Sequence, residues 1–345
     1  MVIGIIGASF SGLIAGMRLA KAGHDVTIIE RNRSLGGTLA SVELDEMILD
    51  YGISHFSAET STFREFIEEL SEKEQLREWT REFSMYDGDQ FHKEDPNASP
   101  LAQYAMTNGM HSIANYLSRW VDIKPQEKAG GLTYIGPDRE KKRSWMINLT
   151  DINVFECDAV VIATPAPEAY GVLQTAQDET AARKIIREID EVYYDDCITL
   201  SATYNRASPD WKGIECEHSA VDWIGNESSK RGINDRTGLV LHSSHSFFRK
   251  NEKVRDEEVT KRLMDEASSI IGPWALQPES TYLHRWKFFK ARNVINEYFM
   301  ELEMIDAPLA LIGNYFGNRS LESAYLSGYN LAEYWINKYS DVTVA

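Results

Sequence analysis

Four residues near the start of the chain have the types and the spacing to hold a dinucleotide. They are Gly7, Ser9, Gly12 and Glu30, in the stretch "VIGIIGASFSGLIAGMRLAKAGHDVTIIE" that begins at Val2. Gly7 permits a tight turn, and Gly12 lets a following helix pack closely while its N-terminal N–H groups face a pyrophosphate. Glu30 lies eighteen positions beyond Gly12, where a carboxylate can accept hydrogen bonds from ribose hydroxyls. Ser9 stands where a middle glycine normally leaves room for backbone and phosphate to approach. As the smallest polar replacement it adds some crowding, and its hydroxyl could donate to a phosphate. Phe10 and Ser11 complete the loop.

The elements that must position these residues are legible around them. Val2 to Ile6 is a short apolar run suited to a buried parallel strand, Leu13 to Ala22 has the composition of a helix ending near Gly23, and "DVTIIE" (Asp25 to Glu30) reads as a second strand. The apolar opening lacks a basic leader and is broken by Gly4, Gly7 and Gly12, so it is read as strand, turn and helix and not as a signal peptide.

A chain of 345 residues can form two domains or one large interrupted one. With 43% hydrophobic and 26% charged residues it has the composition of a globular protein, without low-complexity tracts or repeats. The formal net charge of -17 argues against a general nucleic-acid or acidic-membrane surface and leaves room only for a local basic pocket. The expected partners are small molecules. Cys157, Cys197 and Cys216 are odd in number and widely spaced, which gives neither a disulfide framework nor a zinc signature and fits a reducing cytoplasm. No Ser-His-Asp order, HExxH helix or metal-spaced cluster is present, which argues against hydrolysis. Asp195-Asp196 reads as a solvated pair before a strand.

Beyond Glu30, "ERNRSLGGTLAS" carries a glycine pair, Gly36-Gly37, and further blocks follow: "LDYGISHF" (Leu49 to Phe56), "NGMHSIANYL" (Asn108 to Leu117), "FECDAVVIATPAPEA" (Phe155 to Ala169) and "LIGNYFGNRSLESAYLSGYNLAEYW" (Leu311 to Trp335). In this order they resemble FAD enzymes of the amine-oxidase and protoporphyrinogen-oxidase class. The central blocks "HSAVDWIGNESSKRG" (His218 to Gly232), "GLVLHSSHSF" (Gly238 to Phe247) and "LHRWKFF" (Leu283 to Phe289) are similar to the renalase family, particularly its bacterial members. The resemblance implies FAD, bound non-covalently since no flavin-linking cysteine block is evident. It implies cofactor contacts from Gly7, Ser9, Phe10, Ser11, Gly12, Glu30, Arg31, Gly36, Gly37, Thr38, Gly52, Ile53, Thr164, Pro165, Gly313, Asn314, Ser320 and Leu321. Three positions depart from the family: Ser9, Thr38 where an arginine usually follows the glycine pair, and Asn314 where an aspartate is usual. Thr38 removes a charge that could contact FAD, and Asn314 adds a donor while removing a charge.

Each block also has a physical reading. Asp158 to Thr164 is an apolar strand whose end, with Pro165 to Pro167, returns the chain to the carboxyl edge of the sheet. Leu309 to Gly313 is the expected last strand, and Ser320 to Tyr334 a helix with Leu321, Ala324, Leu331 and Tyr334 on its packing side. "CITLSATY" and "GLVLHSSHSF" alternate as half-buried strands do, whereas Asp256 to Ile271 spaces Val259, Leu263, Ala267 and Ile270 helically. The expected fold is α/β: a Rossmann-like FAD-binding domain (1–70, 101–184 and 283–345) and a substrate domain on a mixed or antiparallel sheet (71–100 and 185–282).

Trp223, His242, His245 and Trp286 lie in the renalase-like blocks and are the expected catalytic-side residues, since aromatic faces can sandwich a planar ring. Each has an ordinary reading beside it: a Trp in a strand as core, a lone His as structural. Arg285 and Lys230 read either as substrate-phosphate ligands or as surface charges. His55 and Phe56 follow a motif that ends near the flavin in this class.

The resemblance implies a cytoplasmic oxidase that takes hydride from mis-reduced dihydro-NAD(P) isomers to flavin N5, with molecular oxygen as acceptor. Such chemistry belongs to the cofactor, so the protein needs to stack and orient rings more than to supply an acid and a base. Two other readings stand beside it: an amine or other C–N bond oxidase or dehydrogenase, and a flavin-binding protein without catalysis. Oligomeric state is left open.

Overall fold

The computed structural model describes residues 1–94, 101–136, 143–176, 179–302, 307–318 and 320–339. The expected excursion at 71–100 therefore lies outside the described residues in its last part, 95–100.

The strand Val2–Ile6 is at the middle of a six-stranded sheet whose order is Met300–Leu302, Leu309–Leu311, Ala159–Ile162, Val2–Ile6, Asp25–Glu30, Asp122–Pro125. Its neighbours are parallel to it on both sides, Ile3 facing Ala159 and Ile6 facing Ile162 on one edge, Val2 facing Asp25 and Ile6 facing Ile29 on the other. Only Met300–Leu302 runs antiparallel. A strand covered on both faces should be continuously apolar, and Ile3, Ile5, Ile6, Val160, Val161 and Ile162 are all buried. Sequence order reverses across the first strand, so the carboxyl ends of Val2–Ile6, Asp25–Glu30 and Ala159–Ile162 frame the crevice in which doubly wound sheets bind ligands.

Helix Phe10–Lys21 follows the first strand directly, and Leu321–Lys338 packs against it. Their approach depends on Gly328, where a Cβ would lie 2.3 Å from the Ser11 carbonyl oxygen. Leu321, Ala324 and Leu331 are buried as expected, but Tyr334 is 41% exposed and packs, tilted, against Phe299. The helical repeat places Trp335, not Tyr334, in line with Ala324, Gly328 and Leu331, and Trp335 is the buried residue.

A seven-stranded sheet forms the second body, in the order Ser280–Ala291, Tyr194–Tyr204, Thr237–Ser243, Val221–Asn226, Gly213–Cys216, Ser84–Tyr86, Phe91–His92. It is mixed, because Gly213–Cys216 pairs antiparallel with Val221–Asn226 and parallel with Ser84–Tyr86. Helix Asp256–Ile271 buries Val259, Leu263, Met264, Ala267 and Ile270 in one cluster with Ile198, Leu200, Ile224, Leu239 and Leu241 of the sheet.

The compact units are 1–37, 113–194 and 290–345, and 38–112 with 195–289. The expected domains place 38–70 and 101–112 with the dinucleotide-binding part; by packing they go with the second unit. The physical tie is a buried network in which Asp50 pairs with Lys230 and Arg231 and accepts from the Met110 N–H. Among the described residues no helix is long and apolar enough to cross a membrane.

Candidate functional site

In the first unit, the turn after Val2–Ile6 is built from residues that nothing larger could replace. Gly7 has φ +100, in the left-handed region, and a Cβ there would sit 3.0 Å from the Ala163 carbonyl oxygen. At Gly12 a Cβ would fall 2.4 Å from the Gly7 carbonyl oxygen, so the helix can reach the turn only with glycine there. Ser9 is the helix N-cap: its backbone is extended (φ -68, ψ 169) and its Oγ accepts from the Gly12 N–H at 3.3 Å. Glycine's absence at position 9 thus gives the helix a cap, a role that motif spacing alone did not separate from crowding or phosphate contact. Ser9 also bridges to Gly36, and the Gly36 N–H donates to the Ala8 carbonyl at 2.7 Å. Gly36 and Gly37 have φ +91 and +59, which explains why this pair is glycine.

Glu30 ends the second strand with 8% of its surface exposed. Its Oε2 accepts from the Ala8 N–H at 2.8 Å, and its Oε1 accepts from the Asn32 backbone N–H at 2.8 Å and from Nδ2 at 2.9 Å. Three accepted bonds fix the carboxylate in the turn and leave it acceptor capacity for a ribose hydroxyl. Arg31 pairs with Glu168.

The neighbouring strand ends carry two buried hydroxyls without partners among the described residues. Thr164 Oγ1 follows Ala159–Ile162, and its side chain packs on Gly7; Tyr315 OH follows Leu309–Leu311, its ring lying 2.5 Å from where a Gly313 Cβ would be. Gly313 donates to Ser327 Oγ at 3.1 Å, Asn314 is half-buried, and Ser320 caps helix Leu321–Lys338 by accepting from Ser323 N–H at 3.1 Å. Pro165 precedes helix Ala166–Leu173, whose Ala166 N–H donates to Tyr194 OH at 3.1 Å. Unsatisfied buried hydroxyls are costly unless a polar group meets them, and a glycine turn, a fixed carboxylate and two such hydroxyls at strand ends fit a bound dinucleotide.

In the second unit, Thr38 and Gly52 meet backbone to backbone: the Ile53 N–H donates to the Thr38 carbonyl at 2.8 Å, and a Gly52 Cβ would lie 2.0 Å from that same oxygen. The segment following Gly52 delivers His55 into an aromatic cluster, 4.8 Å from Trp223, 4.7 Å from Phe83 and 5.7 Å from Trp79 between ring centroids. Phe56 packs on Phe63 and Tyr104. The Trp223 indole lies over two facing glycines, since Gly213 and Gly225 pair in register and Cβ atoms on them would come within 2.1 Å and 2.8 Å of it. His242 is Trp223's cross-strand partner.

Three ring nitrogens of this cluster, His55 Nδ1, Trp223 Nε1 and His242 Nε2, are buried without a partner among the described residues. Burial, with the Lys230 charge adding to it, pushes both histidines down to about 3, so both rings are neutral near pH 7. His242 bonds the Gly52 backbone, which leaves its Nε2 as a bare acceptor.

Lys230 and Arg285 are neither free phosphate ligands nor surface charges. Lys230 Nζ is buried and surrounded by Glu227 Oε1 at 2.7 Å, Asp50 Oδ2 at 3.2 Å and both the carbonyl and hydroxyl of Ser54 at 2.7 and 2.8 Å. Four acceptors exhaust the ammonium. Arg285 bonds Asp256 and the carbonyls of Asn251 and Val254. The buried quartet of Asp50, Glu227, Lys230 and Arg231 was invisible in sequence order, because Asp50 lies 180 positions from Lys230.

Trp286 stacks on Tyr51 at 5.4 Å and donates to the Tyr51 carbonyl at 3.1 Å; His284 stands 4.3 Å from it. Phe289 lies between Trp286 and His242, 5.9 and 5.3 Å from them. His245 instead opens a helix, its Nδ1 accepting the Asp196 N–H at 3.0 Å. Asp195 and Asp196 are half-buried in the strand and not a solvated pair: Asp195 faces His245 at 3.7 Å and Asp196 accepts from the Phe288 N–H. Burial raises Cys157, Cys197 and Cys216 to about 12, which keeps them as protonated core thiols.

A glycine-turn cradle on a mainly parallel sheet marks the first unit as dinucleotide-binding, and the second unit carries a mixed sheet with a cluster of aromatic and imidazole rings. Residues 5–70 match the NAD(P)-binding Rossmann-like domain and residues 101–334, more than half the chain, match the flavin containing amine oxidoreductases. The chain belongs to the flavin-containing amine oxidoreductase family and is an FAD-dependent oxidoreductase.

Its backbone is similar to a cyclohexylamine oxidase from Brevibacterium oxydans (TM-score 0.75, 11% identity, 98% of this chain and 99% of that one) and to a putrescine oxidase bound to putrescine (TM-score 0.72, 12% identity, 98% and 99%). It is similar in the same way to a protein from Exiguobacterium provisionally described as a protoporphyrinogen oxidase (TM-score 0.76, 12% identity, 98% and 99%). At such identities the likeness is one of fold. A 4,4'-diapophytoene desaturase of Staphylococcus aureus is 42% identical over 52 residues, which are 15% of this chain and 10% of the desaturase. The match thus spans about a tenth of that relative.

Proposed function

We propose that the protein is a renalase-type oxidase of mis-reduced dihydro-NAD(P) isomers. FAD supplies hydride acceptance and reoxidation by molecular oxygen when bound. Gly7, Gly12, Ser9 as helix cap, Glu30 and Thr164 are the residues assigned to hold it. The second unit is assigned the substrate ring: His55, Trp223, His242 and Trp286 orient it and exclude water, and no proton need be exchanged with a side chain.

The observation that carries this reading is the electroneutral character of the ring cluster. Its histidines are held neutral, and the buried carboxylates of the same unit, Asp50 and Glu227, are paired with Lys230 and Arg231. Such a site suits a planar, uncharged ring with hydrogen-bonding edges, whereas a protonated amine would find only ring faces to meet its charge. Family membership supports a second reading, an amine or other C–N bond oxidase. Anaerobic addition of 2-dihydro- or 6-dihydro-NAD(P) separates the two: bleaching of the flavin by these isomers and not by primary or secondary amines is the expected result, and the reverse pattern overturns it.

A further inference from the structure

We infer that Phe289 is a specificity-determining wall of the substrate-ring site and that Asp196 is its positioning residue, the Asp196 carboxylate holding a bulge in strand Ser280–Ala291 that turns the Phe289 ring inward. The inference rests on the substrate-site assignment above and adds two residues to it.

Contacts mark the two faces of this strand. Leu283 packs against the core cluster that includes Val259 and Leu263, Arg285 bonds Asp256, and Lys287 pairs with Glu252, so these residues point toward helix Asp256–Ile271 and the segment leading into it. Tyr282, His284 and Trp286 point the other way, their rings 5.3, 5.1 and 5.4 Å from that of Tyr51. Strict alternation would carry Phe289 to the helix side with Leu283, Arg285 and Lys287. Its ring lies instead 5.9 Å from Trp286 and 5.3 Å from His242.

The alternation breaks at Phe288, whose φ of +59 is in the left-handed region that bulky side chains rarely enter. Such a conformation is costly and persists only where its surroundings hold it. Here the Phe288 N–H donates to Asp196 Oδ1 at 2.9 Å, a charge-assisted bond. Asp196 is fixed in turn, because its own N–H donates at 3.0 Å to Nδ1 of His245, the first residue of helix His245–Asn251. A bulge of this kind re-aims a side chain. The side chain it re-aims is Phe289, which joins the ring group of Tyr51, His284 and Trp286 to His242. Tyr51, His284, Trp286 and Phe289 are half-buried, so their rings are not sealed in the core. An apolar face between Trp286 and His242 restricts how a planar substrate ring can tilt, and it brings neither a charge nor a proton.

The test is anaerobic stopped-flow reduction of the FAD-loaded protein by 6-dihydro-NAD and, separately, by benzylamine. Asp196→Ala and Phe289→Ala are each expected to lower the limiting rate of flavin reduction by about tenfold or more, while the half-saturating substrate concentration moves by less than about threefold, because orientation is lost more than contact. Asp196→Asn keeps an acceptor oxygen for the Phe288 N–H and should retain about half the wild-type rate or more. The Asp196→Ala, Phe289→Ala double variant should be no slower than the slower single variant, since both changes act through one ring. Phe289→Ala carries the test if Asp196→Ala does not fold. A limiting rate unmoved by Phe289→Ala, an Asp196→Asn rate as low as that of Asp196→Ala, or losses that multiply in the double variant overturn the inference. Bleaching by benzylamine and not by 6-dihydro-NAD overturns the dihydronicotinamide reading alone, and the same rate comparisons, made with benzylamine, then decide the roles of Asp196 and Phe289; bleaching by neither overturns both.

Discussion

Glu30 and Ser9 show how different two polar residues of one turn can be. Glu30 accepts three hydrogen bonds that hold the turn and keeps acceptor capacity for a ribose, whereas Ser9 closes one helix end. Glu30→Ala therefore removes a charged acceptor worth about 1.5–3 kcal/mol, and FAD titration of the apoprotein should show affinity lowered by roughly ten- to a hundredfold. Ser9→Gly replaces one good N-cap by another, a change of only a few tenths of a kcal/mol, and FAD affinity should stay within about twofold. A larger loss in Ser9→Gly would mean that the hydroxyl contacts phosphate. The histidines make a second residue-scale prediction. His55 and His242 titrate near 3 in the folded chain against 6.5 in the unfolded chain, because burial first and the Lys230 charge next disfavour the imidazolium. Below pH 6.5 the unfolded state takes up protons that the folded state refuses, so stability is full above that pH and falls progressively toward pH 3, by up to about 1.4 kcal/mol per pH unit for each ring. Denaturant unfolding of the wild type and of a His55→Gln, His242→Gln double variant between pH 7 and 4.5 checks this: the double variant should have the shallower slope.

At the scale of elements, close backbone approach decides where glycine is needed. Gly328 lets helix Leu321–Lys338 rest on Ser11, the second residue of helix Phe10–Lys21, and Gly328→Ala puts a methyl 2.3 Å from a carbonyl oxygen. The helices must part, at a cost of about 1–3 kcal/mol in thermal or denaturant unfolding, and FAD retention should fall because helix Phe10–Lys21 begins at the dinucleotide turn. Leu263→Ala offers the contrast: it leaves a cavity under the mixed sheet worth about 2–5 kcal/mol and should leave FAD affinity unchanged in the protein that remains folded. Much of this level was legible in the chain. The strand-turn-helix-strand opening and the helical spacing of Val259, Leu263, Ala267 and Ile270 follow from local periodicity, whereas the central strands expected to be half-buried are not: residues 197–204 are all buried, residues 237–243 nearly so, and His245 opens a helix where the strand was expected to continue to Phe247. Tyr334 was misplaced because a stripe drawn through Leu331 can continue at either three or four residues, and only the contact with Phe299 separates the two. The Asp50, Glu227, Lys230 and Arg231 quartet was beyond local reading altogether, since long-range pairing leaves no periodic trace; a Lys and an Arg adjacent on a short helix read as surface until their partners are known.

For the whole molecule, one unit repeats a general dinucleotide plan, and the other holds Asp50, Glu227, Lys230 and Arg231 as ion pairs in its interior. The division explains why the cofactor class was evident from glycine spacing and family blocks while the substrate was not: a glycine turn has few uses, but a cluster of rings accommodates many. The second unit keeps two cations and two carboxylates buried as pairs, which favours neither cationic nor anionic substrates at the adjacent rings. The most direct test of that account is anaerobic stopped-flow mixing of the FAD-loaded protein with 6-dihydro-NAD, 4-dihydro-NADH and a panel of primary and secondary amines, read at the oxidised flavin band. The account predicts rapid bleaching by 6-dihydro-NAD alone, recovery of the band with hydrogen peroxide on admission of air, and slower bleaching in Trp286→Ala with FAD still bound. Bleaching by an amine, with no response to any dihydronicotinamide isomer, would contradict it.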